Sequence, residues 1–369
     1  MAAESSLNIA LVLRRFGGSG GTEKYAHDFA GWLAAQGHEV HVYCAVASGP
    51  PVDVAVHRIG GDSLFSFWRA SHSVPGHEQH DALMGFGRSH RHDIFRVGGG
   101  AHARWAQIRD QTALSRLRSA WSFREQFHLR ADRHACRNAR WVVANSQMGA
   151  RDVAEHYGVG MDQIRVIRNG VDCARFRFDE ESRASARREW RVPEGGRVAL
   201  FLGSGFQRKG LDTAIDAFDQ ASLAGDRLVV IGEDRHAPRW RERAHQRLGT
   251  RLVWAGPTAR PEHWLCGADA MLLPTRYDPA ANATIEALAT GVPPVTTSRD
   301  GNGEIVPDPR LVVDVDAGVS AFASALRYAW SARADLHASC RATAEAWPVS
   351  RNGKSVVAIL RQVVAERSG

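Results

Sequence analysis

The chain has 369 residues, 44% of them hydrophobic and 24% charged, with 17 histidines, five cysteines and a formal net charge of +7. That length exceeds one ordinary core and suits two domains of similar size, and the composition excludes a disordered or fibrous chain. No apolar run approaches a membrane span, the opening Met-Ala-Ala-Glu-Ser-Ser lacks the regions of a signal peptide, and the scattered cysteines read as idle thiols in a reducing cytoplasm.

The positive balance favours an anionic partner. It is carried almost wholly by arginine, the lysines being Lys24, Lys209 and Lys354. Nucleic acid, lipid headgroups and nucleotide phosphates all fit such a charge.

In chain order, Leu7 to Leu13 reads as a strand, Phe16-Gly17-Gly18-Ser19-Gly20-Gly21 as a glycine loop, and Thr22 to Ala35 as an amphipathic helix. Val40 to Tyr43 reads as the next strand, completing a βαβ unit with its glycine loop at a strand's carboxyl end, the usual ligand position in an open α/β sheet. A dinucleotide fingerprint is absent, because Gly18-x-Gly20 is followed by Glu23 where a third glycine is needed. The stretch from Ser48 to Asp93 is rich in glycine and histidine and yields no clear element; its Phe65, Phe67 and Trp68 read as core. Asp93 to Gly98 reads as a strand leading to His102. Eight arginines (Arg104, Arg109, Arg116, Arg118, Arg124, Arg130, Arg133 and Arg137) then stud a helical region, either as a solvated face or as a contact to anionic headgroups.

Trp141 to Ser146 and Ile164 to Val166 read as strands, the second followed by Asn169-Gly170-Val171-Asp172. A domain boundary is expected between residues 173 and 190, giving domains over 1–175 and 190–345 and a closing helix over 346–369. The strand–helix alternation then restarts. Val198 to Leu202 is a strand, Gly203-Ser204-Gly205-Phe206-Gln207-Arg208-Lys209-Gly210 a loop, and Leu211 onward a helix. Paired cations beside a glycine loop at a strand's carboxyl end suit a diphosphate, whose charge grows as it leaves. Further strands are expected over 228–232, 252–256, 270–273, 295–297 and 311–313.

The most informative stretch runs from Pro274 to Pro294. A polar loop holding Asp278 leads to a helix with Asn282 as its N-cap and Glu286 in its first turn. The amides of Asn282, Ala283, Thr284 and Ile285 are then aimed at whatever lies before the helix, which suits a phosphate. Carboxylates on either side of such amides suit sugar hydroxyls, and a nucleotide sugar offers both groups. Asp314-Val315-Asp316 and His90-x-His92 resemble metal motifs but lack the expected context, and no metal is expected.

These segments resemble the retaining GT-B glycosyltransferases of family 4. The resemblance rests on Gly20-Gly21-Thr22-Glu23, the Asn-Gly-Val-Asp turn, the Arg208-Lys209 loop, and Asp278 with Glu286 standing for a Glu-x7-Glu signature. It covers nearly the whole chain in the correct order, and the Arg-Lys loop resembles most the branch that builds lipopolysaccharide core. It departs at Asp278, which is one methylene shorter than the family's glutamate. The resemblance implies an α/β fold of two Rossmann-like doubly wound domains facing each other across a cleft. The donor would bind mainly to the second domain, the acceptor to the first, and a last helix would return to the first.

It further implies metal-independent transfer of a hexose, with UDP-glucose before GDP-mannose as donor, to a lipopolysaccharide-core or other glycolipid hydroxyl. Arg208 and Lys209 would hold the diphosphate with Gly205 in their loop, Glu286 the ribose and Asp278 the sugar. Gly20 and Gly21 would lie beside the reacting centre, and His102 falls where family members often keep an active-site histidine. The partners implied are a nucleotide sugar, a glycan or glycolipid and an anionic membrane at the cytoplasmic face, without nucleic acid. A GT-B epimerase or phosphorylase is the alternative enzyme, and a non-catalytic polyanion or membrane binder the alternative from another class.

Overall fold

The computed structural model describes residues 5–18, 20–51 and 53–368. Met1 to Glu4 of the opening, Ser19 of the expected glycine loop and Val52 lie outside the described residues. The chain divides into two compact units. One is formed by residues up to Arg168 together with those from Ser350 onward, the other by Asn169–Val349.

The first unit is built on a seven-stranded parallel sheet. Its spatial order is Val54–Arg58, Glu39–Cys44, Asn8–Val12, Ala82–Gly85, Ile94–Val97, Trp141–Ala144 and Ile164–Val166. The central strand Asn8–Val12 is apolar beyond its first residue and almost wholly buried, as expected where helices cover both faces. Helix Gly21–Ala35 turns Ala26, Phe29, Ala30 and Leu33 inward, a spacing that makes one helical stripe. The last helix, Val349–Ser368, contributes Val356, Val357, Ile359, Leu360 and Val363 to the same core as Leu11 and Phe29.

The second unit is a six-stranded parallel sheet in the order Leu252–Gly256, Arg227–Ile231, Val198–Leu202, Ala270–Leu272, Pro294–Thr297 and Val312–Val313. Both sheets start in the middle, run outward through two strands, and return to the other side of the first strand. That order is the Rossmann one, and it leaves a switch point beside the first strand of each sheet. In the second unit the switch lies between Val198–Leu202 and Ala270–Leu272.

The structure fills the unassigned stretch between Ser48 and Asp93 with two strands, Val54–Arg58 and Ala82–Gly85, and a short helix, Leu64–Ala70. It also corrects one expectation there. Phe67 is buried and Trp68 partly so, but Phe65 is exposed. Its ring lies instead against Phe127, with centroids 5.7 Å apart.

Candidate active site

At the switch point of a parallel sheet, loops leave adjacent strands in opposite directions and open a crevice at the strands' carboxyl ends. In the second unit these loops carry Arg208, Lys209 and Asp278. The stretch after Leu202, read from the sequence as a loop, winds into one helical turn, Phe206–Lys209, between Gly205 and Gly210. The turn forms because the Asp234 carboxylate accepts the Phe206 N–H at 2.9 Å. Gly210 has φ +74°, and a Cβ there would stand 2.0 Å from the Pro274 carbonyl oxygen. Only glycine lets the two loops approach so closely.

Side chains complete the join. The Arg208 carbonyl accepts the Arg276 N–H at 2.8 Å and the Thr275 hydroxyl at 3.2 Å. The Arg276 guanidinium pairs with Asp212 at 2.6 Å. Lys209 is buried and directs Nζ to Asp278 Oδ2 at 2.5 Å, and Arg208, partly exposed, lies 3.7 Å from the same oxygen. The other Asp278 oxygen accepts the Ala280 N–H at 3.2 Å. Burial alone would raise the Asp278 carboxyl, but the Lys209 ammonium and the Arg208 guanidinium outweigh it and hold the pKa below the ordinary value.

The helix after this loop spans Asn282–Ala289, and its N-cap is Ala281 rather than Asn282. A buried carboxylate distant in sequence does the capping work: Asp300 accepts the Ala281 N–H at 3.1 Å. Asn282 is the first helical residue, and its Oδ1 accepts from Asn169 Nδ2 at 2.8 Å. Glu286 consequently lies just beyond the first turn, which holds no acidic residue. Ala283, Thr284 and Ile285 are buried, with their backbone forming the helix start. The structure therefore brings Arg208, Lys209, Asp278 and the start of this helix together through two loops of one unit. Sequence reasoning missed Thr275, Arg276 and Asp300. The only available signal for Asp300 was an acidic residue just past the carboxyl end of the next strand.

In the first unit, Gly20 caps helix Gly21–Ala35 at the carboxyl end of Asn8–Val12, and its carbonyl accepts the Lys24 N–H at 2.8 Å. A Cβ on Gly20 would lie 2.0 Å from Glu23 Oε2, so Glu23 folds back over the cap. Gly21, the first helical residue, is exposed. His102 opens helix His102–Arg109, and its Nε2 lies 2.9 Å from Glu125 Oε1, which also accepts from Arg109 at 3.1 Å. His90 is engaged with His134 at 3.0 Å and His92 with the Ala135 carbonyl at 2.8 Å. Asp316 is 3.0 Å from Arg299 in an ion pair.

Each unit is thus a parallel α/β sheet of Rossmann order, and the switch point of the second holds a buried lysine and aspartate beside a partly exposed arginine. Comparison with known proteins gives the family. The profile described as Glycosyltransferase Family 4 matches residues 19–175, and that described as Glycosyl transferases group 1 matches residues 196–331. A probable transglycosylase of Burkholderia thailandensis is 29% identical over 309 residues, covering 79% of this chain and 78% of that protein. The lipopolysaccharide glucosyltransferase WaaG of Escherichia coli is 25% identical over 318 residues, covering 81% of this chain and 83% of its own.

Among solved structures, a crystal structure of WaaG superposes with a TM-score of 0.82 at 20% identity, over 95% of this chain and 99% of that one. Anabaena Alr3699/HepE in complex with UDP and glucose superposes with a TM-score of 0.76 at 16% identity, over 96% of this chain and all, 100%, of the other. The chain belongs to glycosyltransferase family 4 and has the GT-B fold. It is a glycosyltransferase.

Proposed function

We propose that this glycosyltransferase moves a hexose from a nucleotide sugar, UDP-glucose first among candidates, to a hydroxyl of a lipopolysaccharide-core or related glycolipid, with retention of configuration. The observation that carries the reading is the buried Lys209–Asp278 pair flanked by Arg208 at the switch point. In this reading Arg208 and Lys209 receive the diphosphate, with Gly205 setting the turn that presents them. The amides of Asn282 to Ile285 complete the phosphate cradle, Glu286 binds the ribose, and Asp278 orients both Lys209 and the sugar. Gly20, Gly21 and His102 of the first unit serve the acceptor side.

The bond from the anomeric carbon to the phosphate oxygen breaks while a bond to the acceptor oxygen forms on the same face. The acceptor's proton passes to the departing phosphate, and a nucleoside diphosphate leaves. The charge that leaving group gains is met by two side-chain cations, which is the role a metal ion plays elsewhere, so metal independence is part of the proposal. The choice of glucose and of the acceptor class leans on WaaG, a lipopolysaccharide glucosyltransferase, and on the UDP and glucose held by HepE.

A specific observation supports a membrane-borne acceptor. Helix Ala113–Ala120 carries Leu114 and Leu117 at 79% and 57% exposure, and Trp121 and Phe123 follow at 85% and 79%. Leu114, Leu117 and Trp121 fall on one helical face. Arg116, Arg118 and Arg124 flank them and are exposed. A ridge of large apolar side chains among arginines matches the boundary between anionic headgroups and acyl chains. No helix among the described residues is long and apolar enough to cross a membrane, and the contact proposed here is that of the exposed ridge.

The deciding experiment is thermal melting with UDP, GDP and their sugars, with and without EDTA. A rise of several degrees with UDP and UDP-glucose, unchanged by EDTA, is expected. A rise only with guanine nucleotides would move the donor to GDP-mannose. Dependence on EDTA would overturn metal independence, and product that requires inorganic phosphate would favour a phosphorylase.

A further inference from the structure

Beside the Lys209–Asp278 pair lies a second buried carboxylate, Asp300, whose bonds reach well beyond the Ala281 cap. Asp300, 1% exposed, sits in the turn after strand Pro294–Thr297. Four donors converge on it. Oδ1 accepts the N–H groups of Ala281 at 3.1 Å and Asn302 at 3.0 Å. Oδ2 accepts the hydroxyls of Thr284 at 2.6 Å and Thr296 at 2.8 Å. The backbone is joined as well: Asp278 N–H donates to the Arg299 carbonyl and Gly301 N–H to the Asp278 carbonyl, each at 2.9 Å. Asn302 Nδ2 adds a bond to the Ala281 carbonyl at 2.9 Å.

Placing this carboxylate next to another is costly. Burial and then the Asp278 charge push the Asp300 carboxyl above its ordinary range, with Lys209 pulling the other way. A serine or asparagine could cap Ala281 without a second charge. What an aspartate adds is acceptor capacity for all four donors, which come from the acidic loop, the helix, the neighbouring strand and its own turn.

We propose that Asp300 is a positioning residue of the donor site, locking the Asp278 loop and the first turn of helix Asn282–Ala289 into one piece. A nucleoside diphosphate sugar then meets a fixed set, its phosphates facing Lys209 and the helix amides and its sugar facing Asp278. This rests on the donor-site reading above.

The two hydroxyls on Oδ2 separate positioning from mere stability. Thr284 lies on the helix that would hold the phosphate, whereas Thr296 lies on a strand behind it and has a second acceptor, the Leu273 carbonyl, at 3.3 Å. Thr284→Val, Thr296→Val, Thr284→Ser, Asp300→Asn and Lys209→Ala would be compared for kcat/KM toward the nucleotide sugar and for melting temperature. Thr284→Val is expected to lose at least about ten-fold in kcat/KM, as for one lost bond to a charged group, and Thr284→Ser to recover most of it. Thr296→Val is expected to stay within about three-fold despite a similar loss of melting temperature. Equal losses in the two valine variants, each following its melting shift, would overturn the proposal. Asp300→Asn, which keeps Oδ1 for both amides, is expected to lose no more than Thr284→Val. A loss a further hundred-fold larger, about 3 kcal/mol, would make Asp300 a group acting by its charge and overturn positioning. Undiminished kcat/KM in Lys209→Ala would instead remove the donor-site reading itself.

Discussion

Lys209 is buried with its ammonium 2.5 Å from Asp278, so its charge is already neutralised before any ligand arrives. A diphosphate approaching this site must therefore share or take over that ammonium, and Arg208, partly exposed and 3.7 Å from the same Asp278 oxygen, is held to it more loosely. Lys209→Ala is expected to lower kcat by about 10²–10³-fold, the range for removing one preorganised donor to developing charge, with the near-ultraviolet spectrum of the fold retained. The same variant carries a second signature. In the parent protein the Asp278 pKa is lowered from 3.8, so its contribution to stability is complete above that value and is lost only as pH falls through the depressed one. Without Lys209, burial raises that pKa, and the variant loses stability as pH rises through it. The melting deficit of Lys209→Ala is therefore expected to be larger near about pH 7 than near about pH 4. A deficit independent of pH would mean that the ion pair is not what holds this corner together.

At the scale of elements, the site depends on how tightly the Arg-Lys turn and the acidic loop are pressed together. Gly210→Ala adds a methyl 2.0 Å from the Pro274 oxygen at φ +74°, so it is expected to cost about 1–3 kcal/mol in denaturant melts and to lower kcat as the loops part. The same glycine was visible in the sequence as part of a loop; its contact was not. Strands such as Val198–Leu202, with five apolar residues in a row, and helices with a clean apolar stripe were legible because burial on both faces leaves an unbroken signal. Ala82–Gly85 escaped because its Ala, Leu, Met and Gly, none of them β-branched or aromatic, carry little strand preference between histidine-rich turns. The helix cap at Ala281 escaped because its acceptor, Asp300, is 19 residues further on, and local patterns do not report tertiary bonds. For the exposed ridge the expected outcome is specific. Leu117→Ser with Trp121→Ser should abolish co-sedimentation with vesicles containing phosphatidylglycerol while leaving turnover on a soluble acceptor analogue intact. Retained binding would assign any membrane contact to charge alone.

For the whole chain, the two units differ in what each needs in order to fold. The core of the second draws only on residues from Val171 to Ala344, all contiguous in sequence. The first cannot be completed by its own leading segment, since Val356, Val357, Ile359, Leu360 and Val363 from the last helix are part of its core. Gly353 on that helix is pressed against the Trp32 ring, where an added Cβ would stand 2.6 Å away. Leaving those aliphatic side chains out would forfeit about 1.5–3 kcal/mol each, a sum comparable with the ~5–15 kcal/mol that holds a typical domain. A fragment of residues 169–349 is accordingly expected to melt cooperatively and, because Arg208, Lys209, Asp278 and Glu286 all lie within it, to be stabilised by the same nucleotide as the full chain. A fragment of residues 1–168 is expected to stay unfolded or aggregate until a segment carrying residues 349–368 is supplied in trans. Cooperative melting of that first fragment alone would show that the last helix decorates a core already complete. A folded 169–349 fragment indifferent to every nucleotide that stabilises the full chain would show that the loops of the second unit do not suffice to hold the donor.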